Sequence, residues 1–270
     1  MDFIPLSALF LGAGALAIGY YRWVPSAEAL RSRLPNRATP SSIVLTLVMG
    51  GAAWYILSTF SGFSAVSRML MLIFALLFFE SLFLIGLRWV RVNFIALILA
   101  LAVTAVLFWA QLQYPTFFGI NTIIIMATMG AATLLIRLGY LRTPILFIVA
   151  SLWTVYDIML VEFVLPAVTR PSTNPVPSFL YPAVTVGQLS LGSGDFMFLT
   201  LFALIVMRDF GALAASILVA AEVVGLLMTG LLLPEQGFLV PFLVVMTPIF
   251  FLVYLLVYLV RRTSSETKSV

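Results

Sequence analysis

Apolar residues along the chain gather into nine runs, at about 3–21, 42–60, 69–87, 92–110, 119–137, 144–165, 190–207, 211–231 and 238–260, with short polar stretches between them. An α-helix needs about 20 mostly apolar residues to cross the hydrocarbon of a bilayer, and most of these runs are close to that length. Lipid offers no partner to a backbone N–H or C=O, so each segment must satisfy its own, which a helix does. The pattern predicts an all-α polytopic membrane protein, with nine transmembrane helices in one transmembrane domain and a polar tail over 261–270. The first run is expected to stay as a helix and not be a signal peptide, because Met1-Asp2 carries no positive charge and no convincing small-residue cleavage site follows. Between the sixth and seventh helices, Pro166 to Leu189 contains "RPSTNPVPS", whose prolines favour extended, irregular backbone. That stretch reads as a loop, and no fixed-period repeat is visible.

Composition reinforces the pattern. The chain is 63% hydrophobic and 9% charged over 270 residues, with a mean hydropathy of +1.18, well past what a soluble core requires. There is no cysteine, which excludes disulfides, thiolate catalysis and Cys-bound metals. Nor is there a histidine, so a histidine-assisted nucleophile or an HExxH zinc helix is impossible. Any hydrolytic chemistry must come from carboxylates, and no ligand set for a metal or other cofactor is apparent.

Charge then orients the chain, since Lys and Arg in short loops concentrate on the cytoplasmic side. With the N-terminus outside, only Arg68 and Arg170 of the 14 basic residues lie outside, and the opposite orientation reverses that count. The expected topology is N-terminus out and C-terminus in, across the cell membrane. The net charge of +4 accordingly reads as contact with anionic lipid and not with nucleic acid.

Five acids fall within or near the runs: Glu80, Asp157, Glu162, Asp195 and Glu222. A charged side chain at the bilayer centre costs about 3 kcal/mol or more, so each invites an explanation. Glu162, four residues before Pro166, reads as an interfacial acid that faces water or an arginine. Glu80 and Glu222 lie deeper and read as structural, paired or neutralised by protonation. Asp157 and Asp195 differ in their depth. Asp157 is thirteen residues along an outward-running helix and Asp195 about five residues into an inward-running one, roughly 20 Å and 8 Å at 1.5 Å per residue. Both depths fall in the outer half of the membrane, on helices joined by one loop. Two carboxylates about 3 to 6 Å apart in a low-dielectric pocket tend to share a proton, and such a pair can activate water with one member while polarising a peptide carbonyl with the other. Gly192 and Gly194 remove side chains just before Asp195, which allows close approach, and Tyr156 offers a hydroxyl near the acids.

"VYDIML" at 155–160 followed by "LGSGDFMF" at 191–198 resembles the YD and GxGD motifs of the presenilin and signal peptide peptidase family of intramembrane aspartyl proteases. The resemblance implies a presenilin-like fold with the motifs on the sixth and seventh of nine helices. It makes Asp157 and Asp195 the catalytic pair, with Tyr156, Gly192, Ser193 and Gly194 as motif partners, transmembrane peptides as substrates and no cofactor. The N-out orientation is similar to that of the signal peptide peptidase branch, and the short loops resemble archaeal members. Many members carry leucine where this chain has Ser193. The family's Pro-Ala-Leu element at the start of the ninth helix has no match in "PEQGFLVPFL"; Gly237-Phe238-Leu239 and Phe238-Leu239-Val240, the latter followed by Pro241, are the candidate equivalents.

Other readings use the same acids. A prepilin peptidase also carries GxGD but typically has fewer helices and often a lysine where Met197 stands. A proton-coupled transporter would load and release protons on buried acids during alternating access. A structural scaffold has no need of two acids at matched depth. Proteolysis in the membrane further requires that the substrate helix unwind, and its extended backbone could pair with protein edges around 166–190 and 234–241.

Overall fold

The computed structural model describes residues 3–33, 65–90, 92–114, 116–159, 183–186, 189–232 and 242–267. Among these residues the chain forms nine helices: α1 (Phe3–Trp23), α2 (Ala27–Arg33), α3 (Ala65–Trp89), α4 (Asn93–Gln113), α5 (Phe117–Arg137), α6 (Thr143–Met159), α7 (Ser193–Phe210), α8 (Ala212–Leu232) and α9 (Leu243–Thr267). Two four-residue strands, β1 (Ala183–Val186) and β2 (Leu189–Gly192), pair in one small sheet. Six of the described helices, α1, α3, α4, α5, α8 and α9, are long and apolar enough to cross a membrane. α6 is described over 17 residues, and α7 carries Asp195, Arg208 and Asp209 within its 18. This architecture is consistent with a helical multi-pass membrane protein.

Several boundaries differ from the sequence-based expectation. The expected helix at 42–60 lies outside the described residues, as does the part of the 144–165 run beyond Met159. The run expected to be helical from residue 190 begins as strand β2, and its helix starts only at Ser193. α9 continues through Thr267, so residues 261–267 of the expected polar tail are helical; Arg261 holds two backbone carbonyls of α7, Asp209 O at 3.1 Å and Phe210 O at 2.7 Å, and Thr263 Oγ1 donates to Val260 O at 2.9 Å. α2 is a short helix that hydropathy runs could not announce, capped by Ser26 Oγ on the Ala29 N–H at 3.3 Å and seated on Leu30, which is wholly buried.

The chain divides into two compact units. One comprises Arg22–Leu138 with Val176–Val184. Here α3 packs on α5 and α4. Small residues set the approach: a Cβ on Gly130 would stand 2.7 Å from Ser81 Cβ, and one on Gly86 3.2 Å from Ala96 Cβ. Ser81, wholly buried, donates its hydroxyl to Met126 O at 2.7 Å. Arg88 lies over the Trp23 ring, and Trp23 packs on Trp89, an arrangement common where helix ends meet the membrane interface.

The other unit comprises Met1–Tyr21, Gly139–Pro175 and Thr185–Val270. Its centre is α7, buried almost continuously from Phe196 to Val206. A helix apolar on every side needs neighbours on every side. α8 and α9 supply them, and α9 also packs on α6 and α8. Phe202 of α7 stacks on Phe250 of α9 at 4.2 Å, and Phe10 of α1 meets both Phe196 and Phe242 at 5.4 Å.

Candidate active site

α6 turns one stripe inward, Leu146, Ala150 and then Thr154 and Asp157, at steps of three and four residues. Thr154 Oγ1 locks that stripe to α9 through a 2.8 Å hydrogen bond with Thr247 Oγ1. Asp157 therefore comes off α6 facing protein, half-buried, while Tyr156 projects from another face and is 54% exposed. The backbone N–H of Leu243, at the start of α9, donates to the Asp157 carboxylate, and its Oδ2 is buried with no hydrogen-bond partner among the described residues.

Asp195 is the third residue of α7, in the first turn, where a helix N-terminus favours negative charge. Its Oδ2 accepts the Gly192 N–H at 3.0 Å, so the acid is tied to the last residue of β2. Asp157 lies close enough for its charge to act on Asp195. The two expected acids thus share one unit and one neighbourhood, although 38 residues separate them in the chain, from 157 to 195.

The glycines divide in their effects. A Cβ on Gly192 would stand 3.3 Å from Asp195 Oδ2, which is tight, while one on Gly194 would meet nothing nearer than Trp153 Nε1 at 4.0 Å. A methyl group on Gly192 would press on the oxygen that its own N–H holds, whereas one on Gly194 would make an ordinary contact. Ser193 begins α7 half-buried. The Tyr156 ring packs at 5.6 Å on Trp153. Gly237, Phe238, Leu239, Val240 and Pro241 lie outside the described residues, as does Glu162. Of the remaining acids, Glu80 belongs to the other unit. Glu222 on α8 is fully buried with neither carboxylate oxygen partnered among the described residues, so the pairing expected for it is not found. Among the described residues no cluster of acids could hold a metal ion.

Sequence reasoning missed three features. Leu243 reaches Asp157 through its backbone, which carries no residue-type signal. Trp153, one turn before Asp157, packs on Phe198 at 6.0 Å, one turn past Asp195. Asp209, at the far end of α7, is the third. Its Oδ2 accepts from Thr143 Oγ1 of α6 at 2.7 Å and from Tyr254 Oη of α9 at 2.9 Å, and its Oδ1 pairs with Arg208 Nε at 2.8 Å.

No family model matches the chain, and no curated protein does either.

Proposed function

We propose that the protein is an intramembrane aspartyl protease that hydrolyses peptide bonds within transmembrane segments, using Asp157 and Asp195 as a pair. The observation that carries this reading is the convergence of these two acids within one unit, near enough to interact, one tied to the Leu243 N–H and the other to the Gly192 N–H. Holding each carboxylate by a single backbone donor leaves oxygens free for water and for the substrate carbonyl. A pair of this kind works as a unit, with water attacking the peptide carbon as one acid takes its proton and the other donates to the carbonyl oxygen. The fold is read as presenilin-like, the chain crossing the cell membrane with its N-terminus outside and C-terminus inside. β2 runs directly into α7, so an unwound substrate strand added to this hairpin would lie beside Asp195.

The deciding experiment is cleavage of a panel of fluorogenic transmembrane peptides by the purified full chain in liposomes, against Asp157→Asn and Asp195→Asn. Loss of cleavage in both variants, with folding intact, is expected; activity surviving in either one breaks the pair. Glu222, buried with no partner among the described residues, is what a proton-loading site in a coupled transporter would offer, and proton uptake dependent on Glu222 in the absence of any cleavage would favour that reading.

A further inference from the structure

Facing positions on two antiparallel helices keep a constant sum of residue numbers, because each step up one is matched by a step down the other. Thr143 of α6 faces Asp209 of α7 through a 2.7 Å hydrogen bond. Asp157 lies 14 residues beyond Thr143, and Asp195 lies 14 residues before Asp209. On each helix that is about 21 Å and close to four turns, so the step keeps both level and face. Trp153 against Phe198, 6.0 Å between ring centroids, falls on the same diagonal to within one residue. The acids are therefore in the register that the Thr143–Asp209 bond defines.

That bond belongs to a larger clamp. The Asp209 carboxylate also accepts from Tyr254 of α9 at 2.9 Å, Arg208 Nη2 donates to Thr143 Oγ1 at 2.7 Å, and Arg261 of α9 holds the Asp209 and Phe210 carbonyls. Between clamp and acids α6 and α9 share the Thr154–Thr247 hydrogen bond, and α7 meets its two neighbours through aromatic rings, Phe202 on Phe250 of α9 and Phe198 on Trp153 of α6, while Phe147 packs on Phe250 and Phe251. Ring contacts fill space with little directional demand, whereas hydrogen bonds weaken steeply when misaligned. In lipid, moreover, no hydrophobic force between helices selects one alignment.

We propose that Asp209 is a positioning residue, setting through Thr143 and Tyr254 the axial register of α7 against α6 and α9 and hence the alignment of Asp195 with Asp157. Its bearing on catalysis rests on the two acids being the reactive pair; the register itself does not. A slip of one residue moves an acid by about 1.5 Å. Misplacement of about 1 Å far from the chemistry can cost a hundredfold in rate.

The test uses the purified full chain with Asp209→Asn, and Tyr254→Phe as the milder variant in case the first does not fold. Since the native chain has no cysteine, Trp153→Cys can be paired with Phe198→Cys, the native register, or with Phe202→Cys, one turn away, and the two rates of cross-linking by a short bis-methanethiosulfonate reagent, whose spacer fills the gap left by the two rings, compared. Expected are a severalfold fall in the preference for the 153–198 pair and, without the added cysteines, a kcat lower by about tenfold to a hundredfold with KM held within about twofold. An unchanged cross-linking preference overturns the proposal, whatever happens to kcat. A shifted preference with full kcat overturns it as well. If the native chain cleaves no peptide, the protease reading falls, while the cross-linking comparison, which needs no catalysis, still decides whether Asp209 sets the register.

Discussion

Gly192 is where one methyl group tests the site most sharply. Its N–H holds Asp195 Oδ2 at 3.0 Å, and a Cβ there would crowd the same oxygen at 3.3 Å. Gly192→Ala must displace the acid by a few tenths of an ångström, and we expect kcat to fall about tenfold with the fold intact, read by single-turnover cleavage alongside circular dichroism. Gly194→Ala meets only an ordinary contact with Trp153 and should slow the reaction less. The reverse order would mean that substrate occupies the space over Gly194. At this scale the two acids were legible because a carboxylate in an apolar run has to be explained. Asp209 was not, because beside Arg208 it looks like an ordinary charge pair at a helix end, and the partners that give it meaning, Thr143 and Tyr254, are 66 and 45 residues away.

Among elements, α8 and α9 approach through Gly225, where a Cβ would stand 2.5 Å from Ile249 Cδ1 and 3.0 Å from Val245 Cγ1. Gly225→Val overpacks that contact and should cost about 1–3 kcal/mol, seen as a lower melting temperature in detergent. The junction of α6, α7 and α9 gives a pH signature. Asp209 lies just past the apolar run that ends at 207; partial burial works against its ionised form, but hydrogen bonds from Arg208, Thr143 and Tyr254, with the Arg208 charge, outweigh this and hold its carboxyl below the ordinary range. A group whose pKa is lower folded than unfolded stabilises the fold above its unfolded value, about 4 for Asp, and loses that contribution as pH falls through the folded value. The melting temperature of the native chain should therefore exceed that of Asp209→Asn near neutral pH and converge on it as the medium is taken below about pH 4; a gap that persists in acid would remove the ionised carboxylate from the explanation. Helices were readable because each run is a local sum of apolar residues. The β1–β2 pair was not, because its two strands are only four residues each and the stretch was dominated by its prolines.

For the whole molecule, the absence of native cysteine makes topology directly measurable. With the N-terminus outside and C-terminus inside, Thr173→Cys should react with a membrane-impermeant maleimide in intact cells and Ser265→Cys only after permeabilisation; the opposite pattern reverses the orientation drawn from the basic residues. What the sequence determined by itself was the solvent and the chemistry available: 63% apolar residues in long runs demand lipid and helices, and a chain without cysteine or histidine leaves any hydrolytic chemistry to its acids. Both follow from composition and order along the chain. Only tertiary structure decided which acid meets which donor: Asp157 with the Leu243 N–H, Asp195 with the Gly192 N–H, Asp209 with Thr143 and Tyr254, and Glu222 with none among the described residues. Apart from the local Gly192 contact, these pairings depend on the register between helices, and hydropathy is nearly unchanged when a long apolar helix slides by a residue, whereas a hydrogen bond made across 1.5 Å less or more is lost.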